Sequence, residues 1–167
     1  AGGRAMLRVG VLVGVLTFGA AASADPPAAA PPAGDMDKLQ GYWKPLQCDF
    51  EGKPQMPTDV MKQVTVVFDK TEYHLYFKDT KLDKDGKPVV FRLALANIAL
   101  DDKTAPKSIT FEFADGPLKG KKSHGIYELA GNQLKVCYGP VDRPKPTRFE
   151  SPASSGYFLE TWARQVK

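Results

Sequence analysis

Four side chains in this 167-residue sequence have the types that hold transition metals: Cys48, His74, His124 and Cys137. Structural metal sites gather such ligands as closely spaced pairs, whereas these four stand singly, so no metal site is read from them. Their plainer roles are two exposed or hydrogen-bonded histidines and two small hydrophobic cysteines. A hydrolase reading meets a geometric obstacle. Ser123 and His124 are neighbours in a strand-like run, and adjacent side chains on a strand point to opposite faces, so they cannot make a nucleophile–base contact. Asp101-Asp102 and Asp83/Asp85 are carboxylate pairs, but they sit among lysines in turn-like stretches where charges are solvated. No catalytic constellation emerges, no cofactor is called for, and the chain reads as a non-enzyme.

The two cysteines form an even set, which in an oxidising compartment favours a disulfide. Strand alternation weighs against it. With Cys48 on the inward face beside Leu46 and Phe50, and Cys137 opposite to Leu134, Val136 and Tyr138, the thiols point apart unless a bulge intervenes. The aromatics carry the remaining functional signal. Trp43, Phe68, Tyr73, Phe77, Phe91, Phe111, Tyr127 and Tyr138 fall on strand-like runs. Those facing inward either line an apolar cup for a small ligand or fill it as core.

The elements that must position these residues are legible as alternation of period two. Val64, Val66 and Phe68 alternate within 63–69, and Tyr73, Leu75 and Phe77 within 71–78. Asp83-Lys84-Asp85-Gly86-Lys87-Pro88 has turn chemistry and leads into Val89, Phe91, Leu93 and Leu95. Further runs cover 108–113, 123–129, 133–138 and 156–164, with Glu160, Trp162 and Arg164 sharing one face of the last. Gly131-Asn132 marks a tight hairpin, since both residues tolerate positive φ. With 42–50 there are eight strands, and Thr58 as N-cap predicts one short helix through Lys62. Eight antiparallel strands with short connections predict an all-β up-and-down barrel, with a two-sheet sandwich as the alternative architecture.

Residues 1–24 read as a signal peptide: Arg4 and Arg8 precede an apolar run at 9–16 that grades into Ala22-Ser23-Ala24, with cleavage after Ala24. The run is too short to span a bilayer. The stretch 25–34 holds four prolines and four alanines, the composition of a semi-rigid tether. Residues 35–167 are the right length for one domain. Twenty-three Lys and Arg against 19 Asp and Glu make the net charge +4, and loss of Arg4 and Arg8 with the signal leaves +2. That is too little to imply nucleic-acid binding. The expectation is a monomer, secreted or periplasmic, with no membrane span after signal cleavage.

The runs LQGYWKPLQCDFEGKPQ, PKSITFEFADGPLKGKKSHGIYEL and LAGNQLKVCY together resemble an uncharacterised lipocalin-like domain family common in secreted planctomycete proteins. The resemblance covers nearly all of 35–167. It implies a lipocalin-like barrel and brings no established activity with it. It also implies a closure device at Gly41, Trp43 and Arg164, in which the tryptophan of the Gly-x-Trp opening closes the base and the arginine of the last strand packs across its ring. Two functional expectations follow: an extracytoplasmic module binding a small apolar or amphipathic ligand, or a structural domain with a solid core that contacts another envelope protein.

Overall fold

The computed structural model describes residues 34–166. The expected signal peptide and all of the tether except Gly34 lie outside the described residues. A helix α1 (Asp35–Leu39) precedes β1 (Gly41–Phe50), a two-residue strand β2 (Lys53–Pro54) and a second helix α2 (Thr58–Gln63). Then follow β3 (Val64–Asp69), β4 (Glu72–Leu82), β5 (Pro88–Asp101) and β6 (Lys107–Phe113). A 3₁₀ turn at Gly116–Leu118 leads to β7 (Lys122–Ala130), β8 (Gln133–Tyr138) and β9 (Phe158–Arg164).

All pairings are antiparallel between sequence neighbours, except that β1 skips β2 to pair with β3 and closes the sheet against β9. The result is a closed, lipocalin-like, up-and-down barrel of eight strands with β2 appended to the end of β1. Closure leaves no open sheet edge around the barrel and excludes the two-sheet sandwich. Among the described residues, no helix is long and apolar enough to cross a membrane.

Alternation turns one face of each strand inward. Val64, Val66 and Phe68 of β3 and Leu134 and Val136 of β8 enter the core with Trp43 and Trp162. Full burial of such side chains contributes roughly 1.5–3 kcal/mol each. The alternation does not run unbroken. Between β4 and β5 the register passes from Leu75↔Ala94 to Tyr76↔Arg92, which leaves Leu93 as an extra residue. Beyond this bulge Ala94, Ala96 and Ile98 face inward, while Leu93 is 57% exposed and Phe91 47% exposed. The even Val89-to-Leu95 pattern expected from the sequence is therefore cut in two by the bulge. A second bulge between Pro45 and Gln47 turns Leu46 outward and restores Cys48 to the inside, so Leu46 and Cys48 do not share a face as expected.

The helical segments also differ from the reading. α2 is present, but Pro57 occupies its N-cap and Thr58 is the first helical residue, with no side-chain cap. The five-residue α1 and the two-residue β2 lie outside the expected elements; α1 carries Asp35 and Asp37 in its first turn and Lys38 in its last. Residues 139–157, which connect β8 to β9, lie over the outer face of β8. Beneath them Cys137 is fully buried and its thiol donates to the Glu150 carbonyl (3.3 Å). Both faces of this part of the sheet are consequently apolar and covered.

Candidate functional site

One end of the barrel is plugged by α1. Leu39 is fully buried, and its carbonyl accepts the Trp43 indole N–H (2.8 Å). The Arg164 guanidinium lies over the same indole, 4.4 Å from the ring centroid, and donates to the carbonyls of Lys38 and Gln40 at the end of the helix. Gly41 opens β1 at φ 110° directly beneath this arginine. At the helix start, the buried Asp35 carboxylate accepts from Lys107 Nζ (2.5 Å) and from the Tyr127 hydroxyl (3.1 Å). The Lys107 ammonium holds the Asp35 carboxyl below the usual carboxylate range, against the opposing effect of burial.

The barrel interior away from this plug contains a cavity of about 120 Å³. Four of the aromatics singled out in the sequence line it: Phe68 on β3, Tyr73 on β4, Phe111 on β6 and Tyr138 on β8. Their rings touch in series, with centroid separations of 5.6 Å for Phe68–Tyr73, 5.2 Å for Tyr73–Phe111 and 5.6 Å for Phe111–Tyr138. The first two are edge-to-face and the third is tilted, and aromatic pairs of this kind add roughly 0.5–1.5 kcal/mol each beyond their area. The other four lie elsewhere. Trp43 and Tyr127 belong to the plug, Phe77 packs against the edge of the core, and Phe91 stands exposed on the β4–β5 arm.

The cavity wall contains one carboxyl, Glu160, which strand alternation puts on the same face as Trp162 and Arg164 and to which the sequence assigns no chemistry. It sits at the closing seam, directly opposite Cys48 of β1 and Val136 of β8. Every partner of its carboxyl is a donor. Tyr138 Oη and Cys48 Sγ donate to Oε1 at 2.9 and 3.4 Å, and Trp162 Nε1 donates to Oε2 at 3.1 Å. Burial raises the Glu160 pKa above that of an ordinary glutamate, and the three donors offset this only in part. The same burial, with the neighbouring carboxylate, pushes the Cys48 thiol and the phenols of Tyr73 and Tyr138 upward. These groups therefore remain protonated donors across the physiological range, suited to fixing a polar atom rather than to attacking one. The available signal was an acidic residue in the inward phase of Phe158-Leu159-Glu160-Thr161-Trp162.

The four metal-type side chains are dispersed. His74 lies on the outer face of β4 beside Glu72 (3.1 Å) and stacks on Tyr76, while His124 meets Thr110 Oγ1 (3.1 Å). Cys48 points into the barrel and Cys137 outward under the 139–157 connection. Ser123 and His124 diverge as well: the serine hydroxyl is buried and donates to the Gly139 carbonyl (2.7 Å).

Comparison with protein-family models, with curated proteins and with solved structures finds no match to this chain.

Proposed function

We propose that this protein is an extracytoplasmic, lipocalin-like binding module that holds one small apolar or amphipathic ligand inside its barrel. The observation that carries the reading is the cavity itself: an aromatic-walled space of about 120 Å³ inside a closed barrel, with one buried carboxyl in its wall. An apolar wall with few placed polar groups is the general form of a small-molecule site. Export rests on the composition of 1–24, and kinship with the secreted planctomycete family rests on the three sequence runs that resemble it. Binding rather than catalysis is favoured because the Cys48 thiol, although it donates to the Glu160 carboxyl, is pushed up by burial and by that neighbouring carboxylate, so the thiolate a nucleophile needs is disfavoured.

Native mass spectrometry of the protein purified from its source cells tests this reading. A stoichiometric small adduct is expected, displaced on replacing Ala94 in the cavity wall with Leu. A bare polypeptide mass, together with failure of the full chain to take up benzene or n-butanol, would remove the reading. The second reading, a structural domain that docks on an envelope protein, is favoured by Leu82, Val90, Phe91 and Leu93, large apolar residues left exposed on the β4–β5 arm. Under that reading Phe91→Ser abolishes co-purification of the partner and leaves the cavity unchanged.

A further inference from the structure

The cavity is electrostatically one-sided. Glu160 is a carboxyl in an apolar enclosure, and none of the residues lining that enclosure is Lys, Arg or His. Tyr138, Trp162 and Cys48 satisfy its oxygens as donors but carry no charge to balance an ionised carboxylate. Around it stand the faces and edges of Phe68, Tyr73, Phe111 and Tyr138, and an aromatic ring attracts a cation to its face. Beside the ionised carboxylate an anionic ligand would place a second negative group with no cation for either, which is the costly arrangement. Resting on the binding-module reading, we propose that the ligand is a small primary amine, whose ammonium pairs with the Glu160 carboxylate while its hydrocarbon tail lies against the aromatic wall.

Size follows from volume. A cavity of roughly 150 Å³ accepts benzene, so about 120 Å³ admits a tail of only a few carbon atoms. The cavity is partly open, so the remainder of any longer chain would have to leave through its mouth. Proton balance gives the pairing a signature. Burial raises the Glu160 pKa above that of an exposed glutamate, so at any pH where the free protein holds the carboxyl protonated, pairing with an ammonium releases that proton to solvent. The ionisable groups facing the carboxyl are the Cys48 thiol from β1 and the Tyr138 phenol from β8, with the Tyr73 phenol of β4 next in the wall. All three are pushed up by burial and stay neutral while Glu160 titrates. Amine affinity therefore rises with pH through the Glu160 titration, and the affinity of an uncharged analogue does not.

The test is an NMR titration of the full chain with n-butylamine, n-butanol, butyrate and benzene, following the Trp162 indole N–H that donates to Glu160. The expected result is that n-butylamine binds at least about tenfold more tightly than n-butanol. Butyrate binds least, and the indole resonance moves with the amine. In Glu160→Gln the amine preference collapses to within about twofold, while benzene still binds. If n-butanol or benzene binds and n-butylamine shows no preference in the wild-type chain, the amine proposal is overturned and the binding module stands. If none of the four binds, both fall. The wild-type comparison and its pH dependence need no variant, so the outcome does not depend on Glu160→Gln folding.

Discussion

Glu160 and Asp35 are both buried carboxyls, and their surroundings move them in opposite directions. The Glu160 pKa is raised above 4.5 by burial, so between 4.5 and the folded value the native state holds a proton that the unfolded chain has lost. Its contribution to stability is complete below about pH 4.5 and is lost as pH rises through the folded pKa, by at most about 1.4 kcal/mol per pH unit. Asp35 is the reverse. Lys107 first, then Tyr127 and Lys38, hold it below 3.8, so its contribution is present above that pH and is lost as pH falls through the folded value. Urea unfolding from pH 4 to 8 should show the Glu160 slope in the wild type and its disappearance in Glu160→Gln; equal slopes in the two proteins would refute the assignment. The cysteines make a second prediction. Both are buried, on opposite sides of the sheet, with thiols raised by burial. A thiol reagent should find neither in the native protein and both after unfolding, because only an accessible thiolate reacts. A native mass showing a disulfide would contradict this placement.

At the level of elements, the barrel is locked where its first and last strands meet. Arg164 of β9 stacks on Trp43 of β1 and ties down the end of α1, so one side chain joins three elements. Trp43→Phe and Arg164→Met, made singly and together, should show a coupling of roughly 0.5–2 kcal/mol in denaturant unfolding. Strictly additive losses would mean that the stack contributes nothing. The β7–β8 pair has a different constraint. A Cβ at Gly125 would lie 2.6 Å from the Cys137 carbonyl oxygen and 2.9 Å from the Tyr138 Cβ. Backbone, not a flexible tip, stands in the way, so Gly125→Ala must splay the two strands and should cost about 1–3 kcal/mol. A variant as stable as the wild type would show that the two strands separate freely.

For the whole molecule, the two ends of the barrel have separate tasks. The α1 end is closed by Trp43, Arg164 and the Asp35–Lys107–Tyr127 cluster. The other half keeps open volume beside Glu160. Among the described residues no buried side-chain nitrogen or oxygen lacks a hydrogen-bond partner, so the carboxyl is a satisfied member of the core. Under the export reading, the small residues Ala22 and Ala24 after the apolar run lead to cleavage before Asp25. N-terminal sequencing of the exported protein should therefore begin at Asp25, and recovery of residues 7–20 in it would defeat the signal-peptide reading.

What the sequence by itself determined is the order of the eight barrel strands, though not the appended β2. Alternation in Val64-Thr65-Val66-Val67-Phe68 or Gln133-Leu134-Lys135-Val136 is a local property, written in neighbouring residues, and it survives folding because one face of each strand must be buried. The Asp83–Pro88 turn was equally legible, since the Asp83 carboxylate accepts the backbone N–H groups of Asp85 and Lys87 within the turn itself (both 2.9 Å). Bulges were not legible, because an extra residue at Leu46 or Leu93 is defined only by the partner strand, and each one reverses which side chains face inward. The burial of Cys137 depends on the connection folded over the outside of its strand. The candidate site depended most on tertiary structure. Glu160 receives Tyr138 from 22 residues away and Cys48 from 112 residues away, and these meet only because the barrel closes β9 against both β1 and β8.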